Sequence, residues 1–334
     1  MLAVHLTAFG DPHRFATTVE IPEPAAPAAG EVLISILYAP VNHNDLLVMG
    51  GNFPYRPALP AVLGNEAVGR IVAVGAGVEH VQAGDLVTPP LYSGTWRERM
   101  VISAEGLFAL PSDADLQQLS MLRINPLTAG LMLSEYVDLS PGDWIVQNAA
   151  SSGVGRAAIA IAKARGLRSI NLVRRTEQIE EIKAAGGDIV LLDEPGAAAK
   201  AASLIDDGKV RLALDGVAGA ASARLLAFLA PGSTIVGYAM MSGEHQAAGD
   251  LMQMMFKSIR AHFFYQNRAQ FRDKIPALMH EAAQLIAEGK IFTPVARTYR
   301  LSEVAQAIAH TQAGGKVLLD LAGSAAGANS PVFG

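Results

Sequence analysis

Residues 143–175 form the segment that most limits how this chain can fold. Their sequence is DWIVQNAASSGVGRAAIAIAKARGLRSINLVRR. An apolar run, a turn of small residues, an alanine-rich stretch and a second apolar run follow one another, which predicts a strand, a turn, a helix and a strand. Such a unit places backbone N–H groups at a helix N-terminus, where they can bind a pyrophosphate. The segment therefore predicts a dinucleotide site.

The same alternation of strands and helices continues from about residue 122 to residue 292. Apolar runs predict strands at 144–148, 169–173, 189–192, 211–214, 234–237 and 259–264, with helices between them. Strands linked by helices of this length form parallel sheets with right-handed crossovers. We predict an α/β fold in which residues 122–292 form a Rossmann domain, a doubly wound parallel sheet with strand order 3-2-1-4-5-6.

The rest of the chain is rich in short strand signals and turn residues. Before residue 122 the clearest strands are 31–38, 67–74 and 86–88, and later strands are predicted at 295–299 and 316–321. We predict that residues 1–121 and 293–334 form one β-rich domain that is split in sequence. Its small, polar end at 323–334 is predicted to be disordered.

Composition excludes several classes of function. The net charge of −5 gives no reason to expect nucleic acid or an anionic membrane as a partner. The absence of cysteine excludes disulfides and thiolate metal sites. Although 51% of the chain is apolar, no run reaches membrane-spanning length, and the N-terminus lacks a signal-peptide pattern. We expect a cytoplasmic protein with a small-molecule substrate.

The turn at 149–155, AASSGVG, is the predicted pyrophosphate site. Ala150, Ser152 and Gly155 stand where a G-x-G-x-x-G fingerprint has its glycines, so only the third glycine is kept. A tight packing turn is the alternative, but the place between an apolar strand and an alanine-rich helix favours a cofactor. The predicted cofactor-binding residues of the turn are Ala150, Ser151, Ser152, Gly153, Val154 and Gly155.

The end of the second strand distinguishes between cofactors. An NAD site usually has an Asp or Glu about 20 residues after the fingerprint, where it binds the ribose hydroxyls. This chain has Arg174 and Arg175 there. Guanidinium groups pair with a 2′-phosphate, whereas a carboxylate would repel it. Two solvated arginines at a strand end are the alternative, and NADPH is the predicted cofactor.

Segments spread over most of the chain resemble one family, the zinc-independent branch of the medium-chain dehydrogenase/reductase superfamily. They are residues 41–75, 124–133, 147–175, 237–242 and 256–265. The chain looks most similar to mitochondrial-type trans-2-enoyl thioester reductases, with NADPH:quinone oxidoreductases next. The resemblance implies that the β-rich domain is GroES-like and catalytic, and that the active site lies in the cleft between the two domains.

The resemblance also assigns site residues by matching position. It implies that four side chains lie near the nicotinamide or its ribose: Asn42, Asn125, Thr128 and Tyr238. It further implies a contact from the backbone of Phe264 to the carboxamide. Asn125-Pro126 has a simpler alternative, the start of a helix with Thr128 in its first turn.

Two motifs of the superfamily are altered in this chain. Where the zinc-dependent branch has Gly-His-Glu, the sequence reads Gly64-Asn65-Glu66, and we predict no metal site. Where the enoyl reductases have a tyrosine thought to protonate the substrate, this chain has Phe53, which has no proton to give. Tyr55 is the candidate replacement if its loop turns inward, although a packing role is favoured.

These observations lead to one functional prediction with two alternatives. We predict an NADPH-dependent reductase that transfers hydride, without zinc, to a quinone or an α,β-unsaturated carbonyl. The predicted catalytic residues are Asn42, Tyr55 and Thr128, and Asn42 and backbone amides would donate to the developing anion. The first alternative is a trans-2-enoyl-CoA or acyl-carrier-protein reductase of fatty acid synthesis. The second is a non-catalytic NADPH-binding sensor.

Two apolar segments bear on protein partners. The methionines of 250–259 would suit an adaptable substrate pocket, but ordinary core or a subunit interface is favoured. The run His262-Phe263-Phe264-Tyr265 would allow edge-to-edge pairing with a second copy. The resemblance implies the same, since family members commonly dimerise there. A homodimer is therefore predicted.

Overall fold

The structure is a computed structural model that describes residues 1–205, 208–246 and 249–322. The chain divides into two compact units, one made of Met1–Ile124 with the chain from Thr293 onward and the other of Asn125–Phe292. The tail predicted to be disordered, 323–334, lies outside the described residues. Within the described ranges, no helix is long and apolar enough to cross a membrane.

The first unit begins with seven strands and three short helices. The strands are β1 (Leu2–Leu6), β2 (Ala16–Glu20), β3 (Glu31–Val41), β4 (Ala61–Val62), β5 (Val68–Val74), β6 (Leu86–Val87) and β7 (Arg99–Ser103). The helices are α1 (Pro12–Phe15), α2 (His43–Met49) and α3 (Leu116–Leu119). Along the first part of β3 buried and half-buried residues alternate, as expected of a strand with one face on a core.

The second unit alternates strands and helices throughout. The strands are β8 (Trp144–Gln147), β9 (Arg168–Val173), β10 (Ile189–Leu192), β11 (Val210–Asp215), β12 (Thr234–Gly237) and β13 (Arg260–Phe263). The helices are α4 (Asn125–Glu135), α5 (Gly153–Ala164), α6 (Glu177–Ala184), α7 (Ala197–Ala202), α8 (Ala220–Leu226), α9 (Leu251–Phe256) and α10 (Ile275–Ala287).

The sheet of the second unit is parallel and has the predicted strand order. Its order is β10-β9-β8-β11-β12-β13, which is 3-2-1-4-5-6, so the predicted Rossmann fold is confirmed. All four residues of β8 are buried, because helices cover such a sheet on both faces. The carboxyl ends of these strands share one edge, and ligands bind at that edge in open α/β sheets.

The last part of the chain completes the first unit with β14 (Val295–Arg300), α11 (Val304–Ala313) and β15 (Lys316–Asp320). The larger sheet has the order β14-β15-β3-β5-β6, and β7 also pairs with β3. β15 runs antiparallel to β3, with Val317 opposite Val41. This register brings Lys316 to the end of β3, beside Asn42, although the two residues are 274 positions apart.

Candidate active site

The predicted phosphate turn lies between β8 and the twelve-residue helix α5. Ser152 caps the helix, and its Oγ accepts a hydrogen bond from the N–H of Gly155 at 3.1 Å. The N–H groups of Gly153 and Val154 have no backbone acceptor in the described chain. Unpaired donors at a helix N-terminus can bind the oxygens of a pyrophosphate.

Two glycines of the turn allow close packing. A Cβ on Gly153 would lie 2.4 Å from Nδ2 of Asn125, and a Cβ on Gly155 would lie 2.6 Å from the carbonyl oxygen of Ala150. Neither position accepts a side chain without movement of its neighbours. The first contact brings Asn125 against the turn, so two separately predicted parts of the site lie together in the second unit.

Ala150 shapes the turn but does not offer a donor. Its side chain is fully buried, and its N–H donates to the carbonyl oxygen of Leu172 at 3.3 Å. The preceding Ala149 has a φ of +48°, in the left-handed region that is uncommon for residues other than glycine. Ala150 is therefore buried inside the turn and has no free N–H to offer a phosphate.

Gln178 in α6 connects the phosphate turn to the predicted 2′-phosphate turn. Its Nε2 donates to Oγ of Ser151 at 2.8 Å, and its Oε1 accepts from the N–H of Arg175 at 3.3 Å. Because Ser151 Oγ accepts here, its own hydrogen can point to a phosphate oxygen. On the other side of the turn, the buried Arg156 donates to the Ser151 carbonyl oxygen and pairs with Glu181. Gln178 was not predicted as a site residue from the sequence.

Arg174 and Arg175 directly follow β9 and are exposed. Neither guanidinium forms an ion pair or hydrogen bond with another residue of the described ranges. Two adjacent cations at the carboxyl end of the second strand can therefore bind an incoming dianion without first breaking an internal ion pair.

Tyr238 follows β12 at the same edge of the sheet. Its hydroxyl is buried and lies against Gly216, the residue after β11. Burial raises the pKa of this hydroxyl, while the nearby Ser152 opposes the shift, and the hydroxyl has no hydrogen-bond partner in the described ranges. The phenol is therefore neutral at physiological pH and is a hydrogen-bond donor next to the phosphate turn.

Thr128 and Phe264 complete the predicted set in the second unit. Asn125-Pro126 starts α4, as the simpler alternative predicted, and Thr128 lies in its first turn with Oγ1 donating to Oε1 of Gln266 at 3.3 Å. The Phe264 ring stacks on Phe271 with centroids 5.7 Å apart, and its N–H donates to the Gly237 carbonyl oxygen. A contact to a carboxamide would therefore use the Phe264 carbonyl oxygen.

The first unit contains a buried polar cluster around Asn42. Asn42 Nδ2 donates to Oε1 of Glu66 at 2.8 Å, and Asn42 Oδ1 accepts from Nζ of Lys316 at 2.5 Å. The Asn42 N–H donates to Oδ2 of Asp45, and the N–H of Ile124 donates to Oε2 of Glu66. Glu66 is 0% exposed and Asn42 is 6% exposed. Asp45, Glu66 and Lys316 were not predicted as functional residues from the sequence.

Burial controls the protonation of this cluster. It raises the pKa of Glu66 to about 7 against the opposing charge of Lys316, and it raises the pKa of Asp45 to about 8, with the Glu66 charge acting in the same direction. Burial lowers the pKa of Lys316, while the two carboxylates oppose that shift. The carboxyl groups therefore titrate near neutral pH, where one or both hold a proton.

Tyr55 packs within its own unit. Its ring stacks on Tyr92 with centroids 4.3 Å apart, and its hydroxyl donates to the Tyr92 carbonyl oxygen at 3.3 Å. Phe53 is half-buried, and its ring centroid lies 6.3 Å from that of Tyr92. Burial raises the pKa of the Tyr55 phenol, so the group keeps its proton. To act as an acid, Tyr55 would first have to break its hydrogen bond to the Tyr92 carbonyl oxygen.

The residues at the altered zinc motif do not fit a zinc ion. Asn65 is buried and has an amide where the zinc-dependent branch has an imidazole. No cysteine is present in the chain, and no group of three His, Asp or Glu in the described ranges is arranged to hold a metal. Glu66, the third residue of the motif, instead accepts hydrogen bonds from Asn42 and Ile124.

Two family descriptions match the chain. Residues 28–112 match the alcohol dehydrogenase GroES-like domain, which confirms the GroES-like fold predicted for the β-rich unit. Residues 186–319 match the zinc-binding dehydrogenase family.

Known proteins are similar over most of the chain. A bovine mitochondrial enoyl-[acyl-carrier-protein] reductase is 38% identical over 294 residues, which are 85% of this chain and 78% of that protein. The Etr1p/NADP/crotonyl-CoA complex, of a Candida tropicalis 2-enoyl thioester reductase, has a TM-score of 0.86 at 26% identity, covering 96% of this chain and 99% of the other. Escherichia coli quinone oxidoreductase complexed with NADPH has a TM-score of 0.80 at 26% identity, covering 96% and 100%.

Proposed function

Since this chain belongs to the medium-chain dehydrogenase/reductase superfamily, with enoyl reductases among its relatives, we propose that it is an NADPH-dependent reductase of α,β-unsaturated carbonyl acceptors. One observation carries the proposal. The N–H donors of Gly153 and Val154 share one sheet edge with the guanidinium groups of two adjacent arginines, Arg174 and Arg175, and none of these groups has a partner among the described residues. A pyrophosphate and a 2′-phosphate are the anions that such an edge fits.

The residues of the second unit would bind and orient the cofactor. The turn amides and the Ser151 hydroxyl would hold the pyrophosphate, and the arginine pair would hold the 2′-phosphate. Asn125, Thr128, Tyr238 and the Phe264 carbonyl would orient the nicotinamide end. Bound NADPH would supply the hydride, from C4 of its nicotinamide ring.

The residues of the first unit would stabilise the acceptor. Hydride addition to a conjugated carbonyl moves negative charge to the carbonyl oxygen, and an oriented N–H donor lowers the free energy of that state. Asn42 is the proposed donor. Tyr55 is the proposed proton source from the protein, and solvent is the other.

Enoyl thioesters are the first candidate acceptors. The 38% identical relative is an enoyl-[acyl-carrier-protein] reductase, and Etr1p was solved with crotonyl-CoA. Quinones are the second candidate, and Phe53 favours them. A reduced quinone oxygen is a stable anion that makes less demand for an acid, whereas an enolate must be protonated at carbon.

A panel of acceptors tests the proposal. NADPH oxidation would be followed with crotonyl thioesters, naphthoquinones and simple enones, with NADH in parallel. We expect consumption of NADPH with at least one class and a preference over NADH. Fluorescence quenching of bound NADPH without oxidation by any class would instead indicate a cofactor-binding sensor.

We also propose that the protein is a homodimer. In the described chain β13 pairs with β12 alone, so its other edge is open, and Phe263 is 63% exposed. The nearby α9 has no buried residue, and Leu251 and Phe256 are 78% and 75% exposed. Open edges and exposed apolar surface are typical of subunit interfaces. Sedimentation of wild type against Phe263→Glu tests this, since a dimer through β13 would dissociate.

A cytoplasmic location remains a proposal, and the relatives named above include mitochondrial enzymes. Imaging of the tagged protein in its own cells would decide between the two compartments.

A further inference from the structure

The polar cluster of the first unit holds the Asn42 amide in one orientation. Lys316 Nζ can only donate, and it contacts Oδ1 of Asn42 at 2.5 Å. Glu66 Oε1 accepts from Nδ2 at 2.8 Å. A flipped amide would place nitrogen against the lysine and oxygen against the carboxylate, so both contacts would become repulsive.

This orientation leaves one hydrogen-bond donor unused. The Asn42 amide has two N–H bonds, and one of them donates to Glu66. No acceptor in the described ranges takes the second. Unused donors on buried amides are uncommon, and each calls for an explanation by a ligand, water or function.

Resting on the proposed function, we propose that Glu66 and Lys316 are positioning residues that fix the Asn42 amide so that its second N–H is presented to the acceptor oxygen that gains negative charge. Neither residue would touch the acceptor. Both would act through Asn42, Lys316 by its contact with Oδ1 and Glu66 by its contact with Nδ2. A preorganised donor needs no reorientation when charge develops, which is why such a donor stabilises a transition state.

Ionisation of Glu66 strengthens this arrangement. Both oxygens accept hydrogen bonds, Oε1 from Asn42 and Oε2 from the N–H of Ile124, and the charged form is the better acceptor for each. The charged groups that act on Glu66 are Lys316 and Arg123, and Asp45 lies in the same cluster. Since burial raises the pKa of Glu66 to about 7, the positioned form of Asn42 is expected to increase as pH rises through 7.

Glu66→Gln and Lys316→Met test the proposal on the full-length protein with its best acceptor at saturating NADPH. We expect each variant to lower kcat by about tenfold or more, as for one lost transition-state hydrogen bond. The Kd of NADPH should stay within about twofold, because the cluster lies in the other unit. Wild-type kcat should rise through pH 7, and the Glu66→Gln variant should lose that rise. Lys316→Arg keeps a donor and should recover part of the Lys316→Met loss.

Gln118→Ala is the matched control for stability. Gln118 is buried in the same unit, and its side chain makes two hydrogen bonds to the backbone of Thr293. It should lower Tm and leave the pH profile of kcat unchanged. A Glu66→Gln variant with wild-type kcat and pH profile would overturn the inference alone. If the wild-type protein fails to oxidise NADPH with every acceptor of the panel, the proposed function is overturned, and the inference with it.

Discussion

Gln178 Nε2 donates a hydrogen bond to Ser151 Oγ at 2.8 Å, although the two residues are 27 positions apart, and this bond links two turns. One turn caps α5 and the other contains Arg174 and Arg175. Because Gln178 also accepts from the N–H of Arg175, it links the proposed pyrophosphate and 2′-phosphate contacts.

Gln178→Ala should therefore weaken the binding of NADPH more than the binding of NADH. The variant removes two hydrogen bonds that hold the turns in register, so we expect a loss of about 1 kcal/mol in NADPH binding. Fluorescence titration with both cofactors measures it. Gln284→Ala is the control, since Gln284 is an exposed glutamine of α10 whose side chain, within the described ranges, bonds to Glu288 alone. An unchanged ratio of the two Kd values would disprove the link.

Replacing both arginines should remove the cofactor preference. Arg174→Ala with Arg175→Ala should weaken the binding of NADPH by about 2 to 4 kcal/mol and change the binding of NADH little. Only NADPH has the 2′-phosphate with which the guanidinium groups would pair. Calorimetry with each cofactor measures this. Arg272→Ala, an exposed arginine elsewhere in the second unit, is the control. Equal losses for both cofactors would refute the assignment.

Phe53→Tyr should raise activity on enoyl thioesters relative to quinones. It returns a phenol to the position where the enoyl reductases have a tyrosine. Protonation of an enolate at carbon needs an acid more than protonation of a reduced quinone at oxygen does. The measurement is kcat/KM for crotonyl thioester and naphthoquinone. Tyr55→Phe is the companion variant, and a fall in thioester turnover there would identify Tyr55 as the present acid. Unchanged rates in Phe53→Tyr would remove the proposed reason for quinone activity.

Asp45→Asn should flatten the dependence of stability on pH. In the folded protein burial raises the pKa of Asp45 to about 8, from an ordinary value of 3.8. A group with a raised pKa keeps its proton in the folded state longer than in the unfolded state, so its contribution to stability falls as pH rises from about 4 to about 8. Thermal unfolding at pH 5 and pH 8 measures the effect, and a parallel change in Tm for variant and wild type would contradict it.

The fold of the second unit was predictable because its strands are buried on both faces. Trp144–Gln147 and Thr234–Gly237 are short runs that a parallel sheet covers completely, so each reads as apolar in sequence. The first unit was less predictable. β1 (Leu2–Leu6) and β7 (Arg99–Ser103) were missed, because each mixes apolar and polar residues and is stabilised by pairing with other strands.

The site was predictable where its residues are neighbours in sequence. The phosphate turn and the arginine pair follow strands directly, and the local pattern indicated both. Lys316 and Asn42 meet only through the register of β15 on β3, and no local pattern encodes that pairing. The methionine segment was expected to be core or interface. Met254 packs against the core of the second unit, whereas Met252 and Met255 are exposed.

Hydride transfer itself can be followed with NADPH carrying deuterium at C4. The protein would be mixed with each of the two C4-deuterated forms and a crotonyl thioester or naphthoquinone, while cofactor oxidation and product mass are recorded. We predict slower oxidation with one of the two forms and, for the thioester, one deuterium at the β-carbon of the saturated product. Cofactor that binds, with quenched fluorescence, but is oxidised by neither acceptor would contradict the account.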